Sequence, residues 1–281
     1  MDKIKTTYRI SKSRFGQSSD QRWTMKYARA GNGLAMYRVS SDYMYWHKRG
    51  ADGVQAFYWL KKSADSGFSY ACEVLADIYS DGFIGLHVLK NGCESVERYP
   101  IGIDLELAVH YKNLTGRIRK QMRNRYPHVL SDPCFGWCTF TPMKKLNLTV
   151  SSLGGDFPGD VVTALAERIG RNVPLNIVAD GEEDISLLVD SISLLDSDTA
   201  FYIHKKRDGK SKPIVREISI DLLSIAKQVV ADIEDDYYGW VTFFWNDEFV
   251  KEERKLRKKV LLLKNAIALC ESAGRGQGMV S

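Results

Sequence analysis

Apolar residues recur at helical spacing through the first 116 positions, and the pattern repeats. Trp23, Lys26, Ala28 and Gly31 reappear 36 residues later as Trp59, Lys62, Ala64 and Gly67. The offset continues downstream, where Ala35, Val39, Ser40 and Tyr43 fall on Ala71, Leu75, Ala76 and Tyr79. A period of this length predicts helical hairpins packed in series. The small residues of each pair mark where helices approach closely. Trp23/Trp59, Val39/Leu75 and Tyr43/Tyr79 supply the apolar bulk between layers. Gly31 and Gly67 stand where a helix stops and the chain reverses. Helices are therefore expected near 20–30, 34–45, 54–66, 69–81 and 104–116. In the last, Ala108 and Tyr111 keep the spacing of Ala56 and Trp59 at an offset of 52. The extra length places an insertion at 83–100, expected as a loop on the binding face.

After residue 116 the pattern changes. Arg117, Arg119, Lys120, Arg123 and Arg125 form a basic helix end, and Tyr126-Pro127 and Asp132-Pro133 break helix propagation. From 146 onward short apolar runs alternate with helical faces. Strands are expected at 146–150, 173–178, 200–203, 213–219 and 239–245. The fourth pairs with the third across Asp208-Gly209, which favours a reversal. Helices are expected from Asp160 to Gly170, at 183–195, at 222–233 and from about 247 to 273, the last stopped by Gly274. The expected organisation is a basic arm (1–19), a helical repeat domain (20–125) and a linker (126–145). An α/β domain (146–273) and a disordered tail (274–281) complete the chain. The fold class is a short N-terminal α-helical repeat solenoid followed by a layered α/β domain.

Composition narrows the picture only slightly. The 281 residues are 44% hydrophobic and 27% charged, as in ordinary soluble globular proteins. No apolar run is long enough to span a bilayer, and the first residues lack the apolar core of a secretory signal. Five scattered cysteines argue against a disulfide framework. A cytoplasmic location with reduced thiols is the resulting expectation. The net charge of +5 is compatible with nucleic acid without requiring it.

The N-terminal motifs resemble the Sel-like repeats, relatives of the tetratricopeptide repeats. The pattern is carried by Gly53-Val54, Gln55-Ala56, Trp59-Leu60, Lys62-Ser63-Ala64 and Gly67, then Ala71, Leu75-Ala76, Tyr79 and Gly82. It resumes after the insertion as Gly102-Ile103, Leu107-Ala108 and Tyr111. The resemblance spans about 20–116 and implies a scaffold that holds a partner protein. Trp23, Tyr43, Trp59, Tyr79 and Tyr111 are the candidate partner-binding residues.

The second half is similar in element order to the Clp peptidase and crotonase superfamily. The matching pieces are Ser151-Ser-Leu-Gly154-Gly155-Asp156, Val178-Ala-Asp-Gly181 and Phe201-Tyr-Ile-His204. The resemblance implies an oxyanion hole at Gly154 and Gly155, a nucleophile at the start of the helix after the second strand, and His204 as its base. A serine needs such a base within hydrogen-bond reach, and glycines leave backbone N–H groups free to face a developing oxyanion. The family serine falls four positions after the glycine, which here is Ile185. Ser186 is displaced by one, behind an acidic Glu182-Glu-Asp, and no acidic third member matches. These departures imply a catalytically degenerate domain.

Three readings stand on the sequence. One is an interaction scaffold or regulator with a protein partner. The second is a serine hydrolase using Ser186 and His204, its repeats selecting substrates. The third is a nucleic-acid-associated protein using the basic clusters at 3–14, 117–125, 205–212 and 251–259. Homo-oligomerisation is compatible with the first two. Cys134 and Cys138 read as two thiols in an aromatic turn, without the further ligands of a zinc site. No cofactor, metal or membrane contact is expected.

Overall fold

The computed structural model describes residues 18–45, 51–90, 93–123, 128–134, 136–143, 146–151, 156–171, 173, 175–181, 185–191, 201–207, 210–217, 221–243 and 248–277. Among these residues lie nine helices and two antiparallel sheets. The chain divides into two compact units, Met1–Asn124 and Arg125–Ser281. The basic arm expected at 1–19 falls outside the described residues except for Ser18, which caps the first helix, and Ser19, which begins it.

The first unit contains α1 (Ser19–Arg29), α2 (Gly33–Met44), α3 (Gly53–Asp65), α4 (Ser69–Asp81) and α5 (Leu105–Arg123), each packed on the next. All five helices predicted for this half form, and most of their starts are set by capping side chains. Ser18 and Gln21 make a reciprocal capping box at α1. Asn32 accepts from the Ala35 N–H at 2.9 Å, Asp52 from Gln55 at 3.1 Å and Asp104 from Leu107 at 3.0 Å. The ends of α1 and α3 share one bonding pattern. Gly31 N–H donates to Ala28 and Asn32 N–H to Tyr27, while Gly67 donates to Ala64 and Phe68 to Ser63. This Schellman-type closure needs a left-handed residue, and the two glycines have φ of 97° and 89°.

The repeat offset holds between helices as well. Ser63 Oγ, buried between two helices, donates to the Gly33 carbonyl at 2.6 Å. Thr115 Oγ1 donates to the Ser69 carbonyl at 3.4 Å, an offset of 52 for the donor and 36 for the acceptor. Likewise the Tyr43 and Tyr79 carbonyls accept from the Asp52 and Asp104 N–H groups at 3.0 and 2.9 Å. Ala35, Val39, Ser40, Ala56, Leu60, Ala71 and Leu75 are all fully buried. Ser40 donates to the Ala56 carbonyl at 2.7 Å, so a polar residue is accommodated inside the stack without an unpaired hydroxyl.

The insertion at 83–100 is not a loop. It is a β-hairpin of β1 (Phe83–Lys90) and β2 (Cys93–Pro100), paired from Phe83↔Pro100 to Lys90↔Cys93. Ile84 and Leu86 are buried and alternate with half-buried neighbours, which is the period of a strand lying against a core. At its base the Gly82 carbonyl accepts from both Ile101 and Gly102 N–H at 2.9 Å. Arg98 lies over the Phe83 ring at 4.5 Å.

The second unit holds one seven-stranded sheet. Its strands are β3 (Leu130–Cys134), β4 (Trp137–Met143), β5 (Leu146–Ser151), β6 (Asn176–Gly181), β7 (Ile185–Ser191), β8 (Phe201–Arg207) and β9 (Lys210–Glu217). They pair antiparallel in chain order, so the sheet is a meander. The helices are α6 (Phe157–Arg171), α7 (Leu222–Asp235), α8 (Tyr237–Thr242) and α9 (Phe249–Gln277). α9 packs on α6, α7 and α8, burying Leu256, Val260, Leu263, Ala266 and Ile267 along one side.

Four sequence expectations are corrected in this unit. The linker 126–145 contains β3 and β4, whose pattern is obscured by a register shift between Ser131 and Cys134, with Asp132 at φ 57°. The helix expected at 183–195 is replaced by β7, where Ile185, Leu187 and Val189 alternate along a strand held on both sides. The strand expected at 239–245 is instead α8. Its start is capped by Asp236, which accepts from Gly239 N–H at 2.9 Å, and its apolar run is buried all round, as a short interior helix is. The disordered tail expected from 274 is helical as far as Gln277, where α9 ends, and 278–281 lie outside the described residues. The order behind the Clp peptidase resemblance is therefore kept only in its first half, β5–α6–β6, while β7 stands where its second helix was expected and the strands pair antiparallel.

Burial also sets thiol reactivity. Burial, with Asp65 nearby, pushes the Cys72 thiol up to about 11, and burial raises Cys138 further still. A raised pKa leaves little thiolate, the nucleophilic form. Iodoacetamide at about pH 8 is expected to label the exposed Cys270 in the native chain and to spare Cys72 and Cys138 until denaturation. Peptide mapping that found Cys72 labelled as fast as Cys270 would contradict this packing.

Candidate functional site

The repeat gives a template for what each helix face should touch. In α3 two faces are used. Ala56 and Ser63 meet the preceding hairpin, and the adjoining side meets α4 and the base of β2. On that second side the Cys72 thiol donates to the Ala64 carbonyl at 3.7 Å, and the Phe57 and Tyr79 rings stand edge to face at 6.0 Å. Leu60 and Ala64 are buried there, and Gly53 lies beneath Tyr99, whose ring atoms come within 2.3 Å of where a Cβ would sit.

α5 repeats only the first of these faces. Ala108, Tyr111 and Thr115 are buried, and Tyr111 stacks on Tyr79 at 5.8 Å with the rings 4° from parallel. The positions equivalent to Gly53, Phe57, Leu60 and Ala64 are Leu105, Val109, Lys112 and Gly116, and all four are exposed. Leu105 is 64% and Val109 57% exposed, and Ile103 beside them reaches 69%. A Cβ at Gly116 would meet nothing within 4 Å. The stripe continues to Lys120, with Arg117 next to it. Lys112, Arg117 and Lys120 have no ion-pair partner among the described residues, whereas Arg119 is paired with Glu73 at 2.7 Å. The outward face of α5 thus presents Leu105 and Val109, bordered by the exposed Glu106, over its first two turns and cations beyond them. This open face is the candidate site.

The aromatic residues singled out in the sequence lie elsewhere. Trp23, Trp59, Tyr79 and Tyr111 are 5–7% exposed and build the interior of the first unit, and Tyr43 is half-buried. Burial, with Asp65 nearby, pushes the Tyr111 hydroxyl up to about 12. Aromatic side chains mark the repeat in the sequence, but the same bulk that marks it fills the space between helices.

In the second unit Ser186 and His204 are on adjacent strands, not at a helix start and a strand end. Ser186 pairs with Lys206 and His204 with Leu188, two register positions apart. Gly154 and Gly155 lie outside the described residues. A different constellation is present that no sequence pattern announces. The Asp232 carboxylate, fully buried on α7, accepts from Val129 N–H at 2.8 Å, Leu130 N–H at 2.9 Å and Gln228 Nε2 at 2.7 Å. His128 Nδ1 lies 2.6 Å from Oδ1 of the same carboxylate, and the Asp232 carbonyl accepts from Trp240 Nε1 at 3.1 Å. More than 100 residues separate Asp232 from His128, Val129 and Leu130, so no local motif reveals it. These partners compensate a buried charge and tie the start of β3 to α7, which is an architectural role.

Cys134 and Cys138 are free thiols on β3 and β4, and among the described residues no group of three His, Cys, Asp or Glu side chains is placed to hold a metal. Much of the basic run at 251–259 is neutralised along α9, where Lys255 pairs with Glu252 and Arg257 with Glu253, each at 2.6 Å. The basic cluster at 3–14 lies outside the described residues. Among the described residues no helix is long and apolar enough to cross a membrane. Comparison with known proteins finds no matching family model, no curated protein and no solved structure.

Proposed function

We propose that the protein is an interaction scaffold whose first unit, a short Sel-like solenoid, binds a partner protein at the outward face of α5. The observation that supports this reading is the contrast between α3 and α5. The same repeat positions are covered by a following element in one helix and exposed in the other, with apolar side chains retained at Leu105 and Val109. An exposed apolar cluster next to a cationic strip has the composition of a contact surface, with an apolar centre and a polar rim. A terminal helix that only closed the stack would carry polar residues along that whole face.

The test is quantitative affinity capture with the intact chain and with Leu105→Asp and Val109→Asp. Both substitutions fall on exposed positions, so the fold and its melting temperature are expected to be unchanged. A specific partner retained by the parent and reduced at least about tenfold by either substitution is the expected result, since a charge at the centre of an apolar contact costs about 2 kcal/mol or more. Equal capture by all three chains would overturn the assignment of the face.

A further inference from the structure

Resting on that reading, we infer that the occupant of the α5 face is an amphipathic helix of a partner protein, running antiparallel to α5, with an acidic first turn and an apolar second half. Three observations combine. The first is the template within the chain. α4 covers the equivalent face of α3, with Cys72 near its start beside Ala64 at the end of α3, and Tyr79 near its end against Phe57. The covering helix is therefore antiparallel to the one it covers. Transferred to α5, the same relation places the start of the incoming helix beside Gly116 and Lys120, and its later turns over Val109 and Leu105.

The second observation is the charge on the stripe. Lys112, Arg117 and Lys120 are exposed cations without ion-pair partners among the described residues, and Arg117 and Lys120 lie where the first turn of the incoming helix falls. A helix N-terminus carries the positive end of the helix dipole, so a bare one would be repelled there. Acidic residues in its first turn reverse the sign, satisfying both its own dipole and these cations. The third is shape. Gly116 leaves the α5 backbone uncovered, with open space where a Cβ would be, at the position where Ala64 receives Cys72 in α3. Close approach of a second helix is possible at that level, as it is in the α3–α4 pair.

The charge and the direction make the inference specific. A helix of the same composition with its acidic residues at the other end would place carboxylates over Leu105 and Val109 and its bare N-terminus over Lys120. The experiment uses the full chain and two labelled, helix-stapled peptides of about 16 residues, long enough to cover the stripe. One has Glu in its first two turns and Leu and Ala in its last two, and the other has the same residues in reversed order. Fluorescence anisotropy is expected to show the first binding at least about tenfold more tightly than the second. That preference is expected to vanish in Lys120→Glu and to weaken as salt is raised, and binding is expected to be lost in Leu105→Asp. Equal binding of the two peptides, absence of binding by both, or binding unchanged by Lys120→Glu and Leu105→Asp would overturn the inference.

Two further measurements identify other occupants. Sedimentation that showed self-association abolished by Leu105→Asp would point to a second copy of this chain instead. Displacement of the first peptide by a single-stranded oligonucleotide but not by excess unlabelled peptide would assign the face to nucleic acid. Partner capture separates this inference from the broader reading. If capture depends on Leu105 while both peptides fail, the scaffold stands and the helical occupant falls. If capture ignores Leu105, the face itself is wrong.

Discussion

Asp232→Ala is expected to destabilise the second unit by about 3–5 kcal/mol, the cost of leaving several buried donors without their shared acceptor. The substitution removes the acceptor for Val129 and Leu130 N–H, both buried, and for the Gln228 amide. Each buried donor left without a partner costs about 1–3 kcal/mol. Asp232→Asn is expected to be milder than Asp232→Ala, because both backbone N–H groups donate to one oxygen, which the amide retains. His128→Ala is the control. Its side chain is 35% exposed, water can replace it, and the carboxylate keeps three donors, so the expected loss is about 1 kcal/mol. Because a chain of two units need not unfold in one step, amide exchange of Val129 and Leu130 is the appropriate readout. A fall of less than about 1 kcal/mol in their exchange free energy on Asp232→Ala would show that the constellation does not anchor β3 to α7.

The second large effect tests the repeat. Leu75 and Val39 occupy the same position in successive copies, and both are fully buried. Leu75→Ala is expected to cost about 3 kcal/mol and Val39→Ala about 2, the difference following the number of carbons removed and the cavity left. Leu105→Ala, on the open face at 64% exposure, is expected to change stability by less than about 0.5 kcal/mol. Urea unfolding of the three variants gives the order directly. A Leu105→Ala loss comparable with that of Leu75→Ala would mean that the α5 face is covered, and the candidate site would fall with it.

The first unit is legible because its repeat is written in residue types with few alternatives. Glycines at Gly31 and Gly67 meet a left-handed backbone requirement, and small residues at Ala35 and Ala71 meet a close approach. Those same constraints fix all five helices and the extra length between α4 and α5. The hairpin in that extra length is harder to see although its signal is present. Ile84 and Leu86 alternate with their neighbours, but Gly85 and Gly92 give the segment the composition of a loop. In the second unit the signal is weaker. A run such as Tyr237–Phe243 is buried on all sides, so its apolar residues show neither a helical nor a strand period, and only the Asp236 cap distinguishes the two. In β7, Ile185, Leu188 and Val189 fit a helical face as well as a strand, and pairing with β6 and β8 decides between them.

The candidate site is legible only in part. The repeat aromatics stand out in the sequence as contact residues, yet large side chains at regular spacing are what a helical stack buries first. The open face emerges from comparing one copy with another once burial is known. Leu105 and Val109 alone resemble ordinary helix residues, and their meaning comes from the covered state of Gly53, Phe57, Leu60 and Ala64 in α3. The Asp232 constellation has no sequence signature, since His128, Val129 and Leu130 are remote from it in the chain and two of its donors are backbone amides.

The central claim is that the outward face of α5 holds a partner. Site-specific photo-crosslinking tests it most directly, with a benzophenone amino acid placed at Val109 and, as a control, at Lys61, which is exposed on α3. The expected result is a discrete crosslinked species from position 109 that is absent from position 61 and is lost when Leu105→Asp is added. Crosslinks of equal yield from both positions, or a product from position 109 that survives Leu105→Asp, would contradict it.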